Sequence, residues 1–162
     1  MSSVVVEPAR PQDFPRIAEL TVGVYRGEDL APEEYAPELA DVAGRAERSL
    51  VLVARDADGC VIGSVALVLA GDFGNVMESD DEAAFRMLVV DPDVRGQGIG
   101  ELLVRTCLDR ARAAGKTRMV LSTDPRMRAA HRIYERMGFR RLPERDWTPH
   151  PGTDLMVYAL EL

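Results

Sequence analysis

Two cysteines, one tryptophan and 6% aromatic residues are all that this chain of 162 residues carries of those types. Cys60 and Cys107 have no paired spacing and each falls in an apolar segment. Both are therefore expected as buried small hydrophobes in a reducing compartment, not as a disulfide framework. No apolar run approaches the roughly 20 residues that a membrane-spanning helix needs. The longest, Val61 to Ala70, stops well short, and MSSVVVEPAR has no basic stretch leading into an apolar one. Positive charge is in deficit as well. With 20 Lys and Arg against 27 Asp and Glu the formal charge is −7, which argues against the broad positive face that nucleic acid or an acidic membrane demands. A local positive site for an anionic cofactor stays open. Repeats, low-complexity tracts and linkers are missing too. What is present, 46% apolar beside 29% charged residues, predicts one globular domain over residues 1–162, cytoplasmic, with no nucleic-acid or membrane partner.

Taken in order, Val4 to Val6 reads as a first strand ending at Pro8. Asp13 then caps a helix whose inner face is Ile17, Leu20 and Val24 and whose stop is Gly27. Pro32 and Pro37 interrupt Glu28 to Arg48, where Leu39, Val42 and Ala46 keep one face apolar; a short helix or turn and a second helix are expected. Ser49 to Arg55 and Cys60 to Ala70 form an antiparallel hairpin about Asp58-Gly59. After a loop over Gly71 to Asp81, Glu82 to Val90 is a strand, and from Gly98 to Gly115 the period is helical. Met119 to Leu121 is the next strand and Pro125 to Met137 the next helix. Phe139 and Leu142 begin another strand, Pro143 to Thr153 is a loop, and Leu155 to Leu160 is a last strand. Because strand, helix and strand follow one another directly around Gly98 to Gly115, those two strands should be parallel within a mixed sheet.

The stretch Phe85 to Gly100, FRMLVVDPDVRGQGIG, leads from a strand through a glycine-rich loop into a helix. Backbone N–H groups at such a helix start have no intrahelical partner and carry the positive end of the dipole, so they cradle a phosphate. Counting residues excludes two rivals. The dinucleotide fingerprint requires glycine where Glu101 stands, and the Gly-Lys-Ser/Thr of a P-loop is absent.

A second piece follows at Ala130-His131-Arg132-Ile133-Tyr134-Glu135-Arg136-Met137-Gly138-Phe139. Together with Arg95-x-x-Gly98-x-Gly100 it resembles the GCN5-related N-acetyltransferases, closely over Arg86 to Leu142. The resemblance implies an α/β (α+β) fold: a mixed, mostly antiparallel twisted sheet of six to seven strands with about four helices on both faces. It also implies acetyl-coenzyme A as cosubstrate. The pyrophosphate would sit on the amides of Arg95, Gly96, Gln97, Gly98, Ile99, Gly100 and Glu101, and the pantetheine arm beside Leu88, Val89 and Val90. Members of that family often carry Asn where this chain has Met127; Ser122 and Thr123 are placed to replace part of that contact. A homodimer is among the assemblies the resemblance allows.

Moving an acetyl group from a thioester to an amine needs a neutral amine, an oxyanion donor and a proton for the departing thiolate. By resemblance Tyr134 is the general acid and a backbone N–H near Val90 the oxyanion donor. An alkyl ammonium with a pKa near 10 also needs a base, and Glu82, where the strand begins, is the candidate. Its neighbours Glu78, Asp80 and Asp81 read equally as a solvated acidic loop or as a lure for a cationic acceptor. His131 and Glu135 share a helix face but make no metal site, so no metal is expected. Arg140, Arg141 and Arg145 could meet an outer phosphate, and Trp147, Tyr25 and Tyr35 could wall an acceptor pocket. The reading is an N-acetyltransferase acting on a small-molecule or protein primary amine in a ternary complex, without a covalent enzyme intermediate. The alternative is a non-catalytic acyl-coenzyme A binding module.

Overall fold

A computed structural model describes residues 3–27, 35–71 and 76–162. Its frame is a sheet of eight strands: β1 (Val5–Pro8), β2 (Leu50–Arg55), β3 (Val61–Val68), β4 (Glu82–Val90), β5 (Arg118–Thr123), β6 (Arg140–Arg141), β7 (Trp147–His150) and β8 (Thr153–Glu161). The order is β1-β2-β3-β4-β5-β8-β6, with β7 also paired to β8. Among these pairs β4 and β5 alone run parallel. The helix between them, α4 (Ile99–Ala113), supplies the crossover that a parallel pair requires.

β3 is buried along its whole length, which explains why its sequence is a continuous apolar run and not an alternation. One face of the sheet is covered by α1 (Phe14–Gly27) and α3 (Val42–Arg48), whose Ile17, Leu20, Val24 and Val42 pack on Val51, Val53, Val61 and Val89. The other is covered by α4 and α5 (Arg128–Arg136). There Leu103, Cys107 and Ala111 join Leu52, Val65, Phe85, Tyr134 and Phe139 in the largest apolar cluster. α2 (Ala36–Ala40) and α3 are two helices because Asp41 leaves helical geometry and caps the second, accepting from the Gly44 N–H at 3.0 Å. Pro37 is tolerated in the first turn of α2; Pro32 lies outside the described residues.

Three expectations change. Trp147 to His150 is a strand inside the segment read as a loop. Pro149 has no N–H to give, so the ladder to β8 holds only at Trp147↔Leu155 and His150↔Thr153, and the sequence signal is lost with it. The helix expected from Pro125 starts at Arg128, because Asp124 first turns the chain by accepting the Arg126 N–H (2.9 Å). Cys60 is exposed, not buried. It sits in the β2–β3 turn, where the Asp56 carboxylate accepts its N–H (2.9 Å) and that of Asp58 (3.0 Å) while Gly59 takes a φ of 83°. No helix among the described residues is long and apolar enough to cross a membrane.

Candidate active site

The parallel pair at the centre of the sheet is joined over a short stretch. Glu82↔Arg118, Ala83↔Met119 and Ala84↔Val120 are paired, and beyond Ala84 the strands part. On its other edge β4 stays on β3 but bulges: Ser64 faces Val89 while Ala66 faces Arg86, so one residue of β3 opposes two of β4. Met87 lies in the bulge with a φ of 55°, a conformation that costs a side-chain-bearing residue roughly 1–2 kcal/mol. Burial and a 2.8 Å contact between the Arg45 guanidinium and the Met87 sulfur hold it there.

The bulge bends β4 and sets which backbone groups face the opening. The Asp91 N–H donates to the Ile62 carbonyl at 2.8 Å. Val90 and Gly63, the partners just before it, are therefore a non-hydrogen-bonded antiparallel pair. Hence the Val90 N–H points away from β3, into the space between β4 and β5. Leu88 and Val90 turn side chains towards the α4 face, while Val89 is buried under α1.

At the same end of β4 the chain turns through Pro92–Val94 into α4. Gly96 and Gly98 have φ of 82° and 79°, and an added Cβ at either would meet nothing, so it is backbone conformation that calls for glycine. Gly100 is different: a Cβ there would lie 3.0 Å from Ile133 Cδ1, so this glycine lets α4 approach α5. The helical ladder begins with Leu102 N–H to Gly98 O at 3.0 Å. The N–H groups of Ile99, Gly100 and Glu101 thus precede the first intrahelical bond and form the cradle. The Glu101 side chain lies towards Arg105 (3.6 Å) and Arg136 (3.8 Å).

α5 brings Tyr134 against Phe85, Phe139 and Tyr158, with ring centroids 5.9, 5.7 and 5.9 Å away. Burial pushes the phenol well above its ordinary value of 10.0, so it keeps its proton throughout the neutral range. Its hydroxyl has no hydrogen-bond partner among the described residues. Trp147 Nε1 is the one fully enclosed side-chain polar atom there without a partner, so the Tyr134 hydroxyl is reached from outside. Tyr25, near the end of α1, packs with the cluster on the opposite face of the sheet. Burial raises Tyr25 to about 12.

The end of β5 forms the facing wall. Thr123 is buried, its hydroxyl 3.3 Å from His131 Nε2, which also lies 3.1 Å from the Asp124 carbonyl. Burial lowers the His131 pKa and keeps the ring neutral. Asp124 is held in its charged form chiefly by the Arg126 guanidinium. The Thr123 hydroxyl also approaches the Met127 sulfur (3.9 Å). No group of three or more His, Cys, Asp or Glu side chains suited to a metal occurs among the described residues.

Several sequence candidates fall elsewhere. Glu82 is 5% exposed at the far end of β4, eight residues before Val90, or roughly 26 Å along the strand. Its carboxylate accepts from Arg145 Nη1 (2.9 Å) and Nη2 (3.0 Å) and from the Glu78 N–H (2.9 Å), with Arg118 at 3.7 Å. Burial raises its pKa, but Arg145, the Glu78 N–H and Arg118 outweigh this and leave it lowered. A carboxylate so filled and so far from the opening is unsuited to be the base. Within the acidic loop around it, Glu78 is also held by Arg145 (2.7 Å). The basic run is engaged too: Arg140 with Glu161 (3.3 Å), Arg141 with Asp146 (2.7 Å) and Arg145 with Glu82 (2.9 Å). Asp124 and Arg45 carried no sequence signal, because neither belongs to a spaced motif.

The parting strands, the unpaired N–H groups at the start of α4 and the buried phenol of Tyr134 are the features that a comparison with known proteins can place. Residues 14–139 match the acetyltransferase (GNAT) family, and the chain belongs to that N-acetyltransferase family. It is 29% identical over 150 residues to aminoglycoside N(6')-acetyltransferase type 1 of Stenotrophomonas maltophilia, covering 88% of this chain and 95% of that one. It is 36% identical over 75 residues to N-acetylaspartate synthetase of Danio rerio, covering 46% of this chain. The chain spans only 27% of that relative's length. An acetyltransferase from Salmonella typhimurium, solved with its cofactor acetyl-CoA, superposes with a TM-score of 0.69 at 21% identity, over 99% of this chain and 94% of that one.

Proposed function

We propose that the protein moves the acetyl group of acetyl-coenzyme A to a primary amine by direct attack in a ternary complex. The observation that carries this is the parting of β4 from β5 after Ala84 with the Val90 N–H turned into the opening. An extended pantetheine arm fits there as an added strand along Leu88 to Val90, and the pyrophosphate fits the cradle from Arg95 to Glu101. Thr123 lines the opposite wall. The names of the relatives, one for an amino acid and one for an aminoglycoside, agree in the amine as acceptor.

In this reading the amine nitrogen attacks the thioester carbonyl, and the oxyanion that develops takes a hydrogen bond from the Val90 N–H. As the tetrahedral intermediate collapses, the C–S bond breaks and Tyr134 gives its proton to the thiolate. The ammonium proton leaves to water at the open mouth, and solvent restores the phenol. No residue forms a covalent intermediate: Cys107 is sealed under α4, where burial raises its thiol to about 12, and Cys60 is in a distant turn.

The test is thiol release from acetyl-coenzyme A against a panel of amines, with an enzyme-only control for hydrolysis. Amine-dependent release with stoichiometric amide is expected. A protein that binds acetyl-coenzyme A yet turns over no amine would be a binding module instead.

A further inference from the structure

The direction of the Val90 N–H depends on one residue earlier in the strand. Ala83 and Phe85 belong to the apolar cluster under α4, and beyond Met87 it is Leu88 and Val90 that pack there, so an odd run of inner positions gives way to an even one. The bulge thus adds one residue and reverses every later position of β4. Side-chain face and N–H direction alternate together along a strand. Without the extra residue Val90 would lie on the α1 face with its N–H turned to β3. The oxyanion donor of the proposed reaction therefore exists only while Met87 keeps its φ of 55°.

Arg45, in α3, grips that residue. It is 4% exposed, and its Nη1 donates both to the Met87 sulfur (2.8 Å) and to the Leu39 carbonyl (3.2 Å), so one nitrogen joins α2 to the bulge. Its backbone is anchored in turn: the Arg45 N–H donates to the Asp41 carbonyl (3.1 Å), and the Ser49 hydroxyl donates to the Arg45 carbonyl (2.7 Å). A cavity of about 150 Å³, lined also by Glu38, Gly44, Glu47 and Arg48, adjoins both Arg45 and Met87. Packing on that side of the contact is incomplete. A carbonyl and a thioether offset only part of the cost of burying a cation, and burial indeed lowers the pKa of Arg45. An apolar side chain of similar length would fill the space without that cost. Stability alone does not account for an arginine here.

We propose that Arg45 is a positioning residue for acetyl transfer: through the Met87 sulfur it locks the bulge of β4 and so keeps the Val90 N–H aimed into the opening, where the oxyanion forms. It acts through the backbone of β4 and not on a substrate atom. The proposal rests on the acetyl-transfer reading and names the contact that sets the geometry of the same site.

The experiment is a coupled pair of substitutions read by kinetics, melting and amide exchange. Arg45→Met should lower kcat for amine-dependent thiol release about ten- to hundred-fold, a part of what losing a whole oxyanion donor costs, with KM for acetyl-coenzyme A within about three-fold. Its Tm should equal or exceed that of the wild type, because a buried charge has been replaced by an apolar chain. Met87→Leu, which keeps the volume but removes the sulfur, should give the same loss of kcat, and it serves if Arg45→Met does not fold. Glycine takes a left-handed φ unaided, so in a Met87→Gly background Arg45→Met should lower kcat by no more than about two-fold further. Independently of turnover, exchange of the Val90 amide in the ligand-free protein, followed by NMR, should slow in Arg45→Met as that N–H turns to pair with β3. A lowered Tm with kcat unchanged at a temperature where both proteins are folded makes Arg45 a packing residue and overturns the proposal. So does an equal loss of kcat with and without Met87→Gly, or an unchanged Val90 exchange rate. If the wild type acetylates no amine, the acetyl-transfer reading fails by itself. The Val90 exchange rate then still decides whether Arg45 sets the direction of that amide.

Discussion

Glu82→Gln separates a structural carboxylate from a catalytic one. The substitution keeps shape and one acceptor oxygen but removes the charge opposite Arg145, whose side chain is 11% exposed and retains Glu78 at 2.7 Å. Breaking a buried ion pair on one side costs about 3–5 kcal/mol, and the surviving contacts point to the lower end, about 3 kcal/mol. For a chain of this length that is a fall in Tm of about 6–12 °C. The pH dependence has a definite sign. Because the folded-state pKa of Glu82 lies below its ordinary 4.5, its contribution is fully present above that value and is lost as pH falls through the folded pKa. Wild type and variant should therefore differ most at neutral pH and converge in acid below about 4.5. Differential scanning calorimetry at several pH values checks this, and kcat/KM against pH at a temperature where both are folded checks the chemistry. A variant with unchanged Tm and a displaced or missing limb in its pH–rate profile would refute the reasoning and restore Glu82 as the base.

Three further outcomes follow from the site. Tyr134→Phe should lower amine-dependent thiol release by about 10²–10³-fold while the Kd for coenzyme A, measured by calorimetry, stays within a factor of two or so; unaltered release ends the general-acid assignment. Gly98→Ala should weaken coenzyme A binding and cost about 1–2 kcal/mol by denaturant titration, since the φ of 79° is strained for any residue with a Cβ although no atom lies in its way. Cys60 should react with a maleimide in the native protein and Cys107 only after unfolding, by mass spectrometry, and Cys60→Ser should leave turnover intact.

The glycine-rich start of α4 and the course of that helix were legible in the sequence because their signals are local. Gly98 and Gly115 bracket α4, and the spacing of Ile99, Leu103, Cys107 and Ala111 names its inner face. The hairpin was legible through Asp58-Gly59 for the same reason. The bulge was not. Met87 takes a left-handed conformation without the glycine that usually marks one, and the contacts that enforce it come from Arg45, 42 residues away. Glu82 misled for a kindred reason: its position at a strand start suggested the cleft, but the partner that decides its role, Arg145, is 63 residues distant. Long-range pairings of this kind leave no periodicity to read. β7 escaped because the proline that breaks its ladder is also the residue that reads as loop.

If coenzyme A binds along β4 as proposed, the short zipper between β4 and β5 makes it a component of folding thermodynamics as well as of catalysis. Three residue pairs close the only parallel seam among the described strands, and the amides beyond Ala84 on that edge have no paired strand among the described residues. If the pantetheine arm takes that place, amide hydrogen exchange along Phe85 to Val90 slows when coenzyme A is bound. By mass action, ligand at a hundred times its Kd then adds about 2.7 kcal/mol to the stability of the whole domain. An acceptor amine presented first would meet a wall still free to move, so a seam of this kind favours a kinetic order in which the coenzyme enters ahead of the amine and leaves behind the amide.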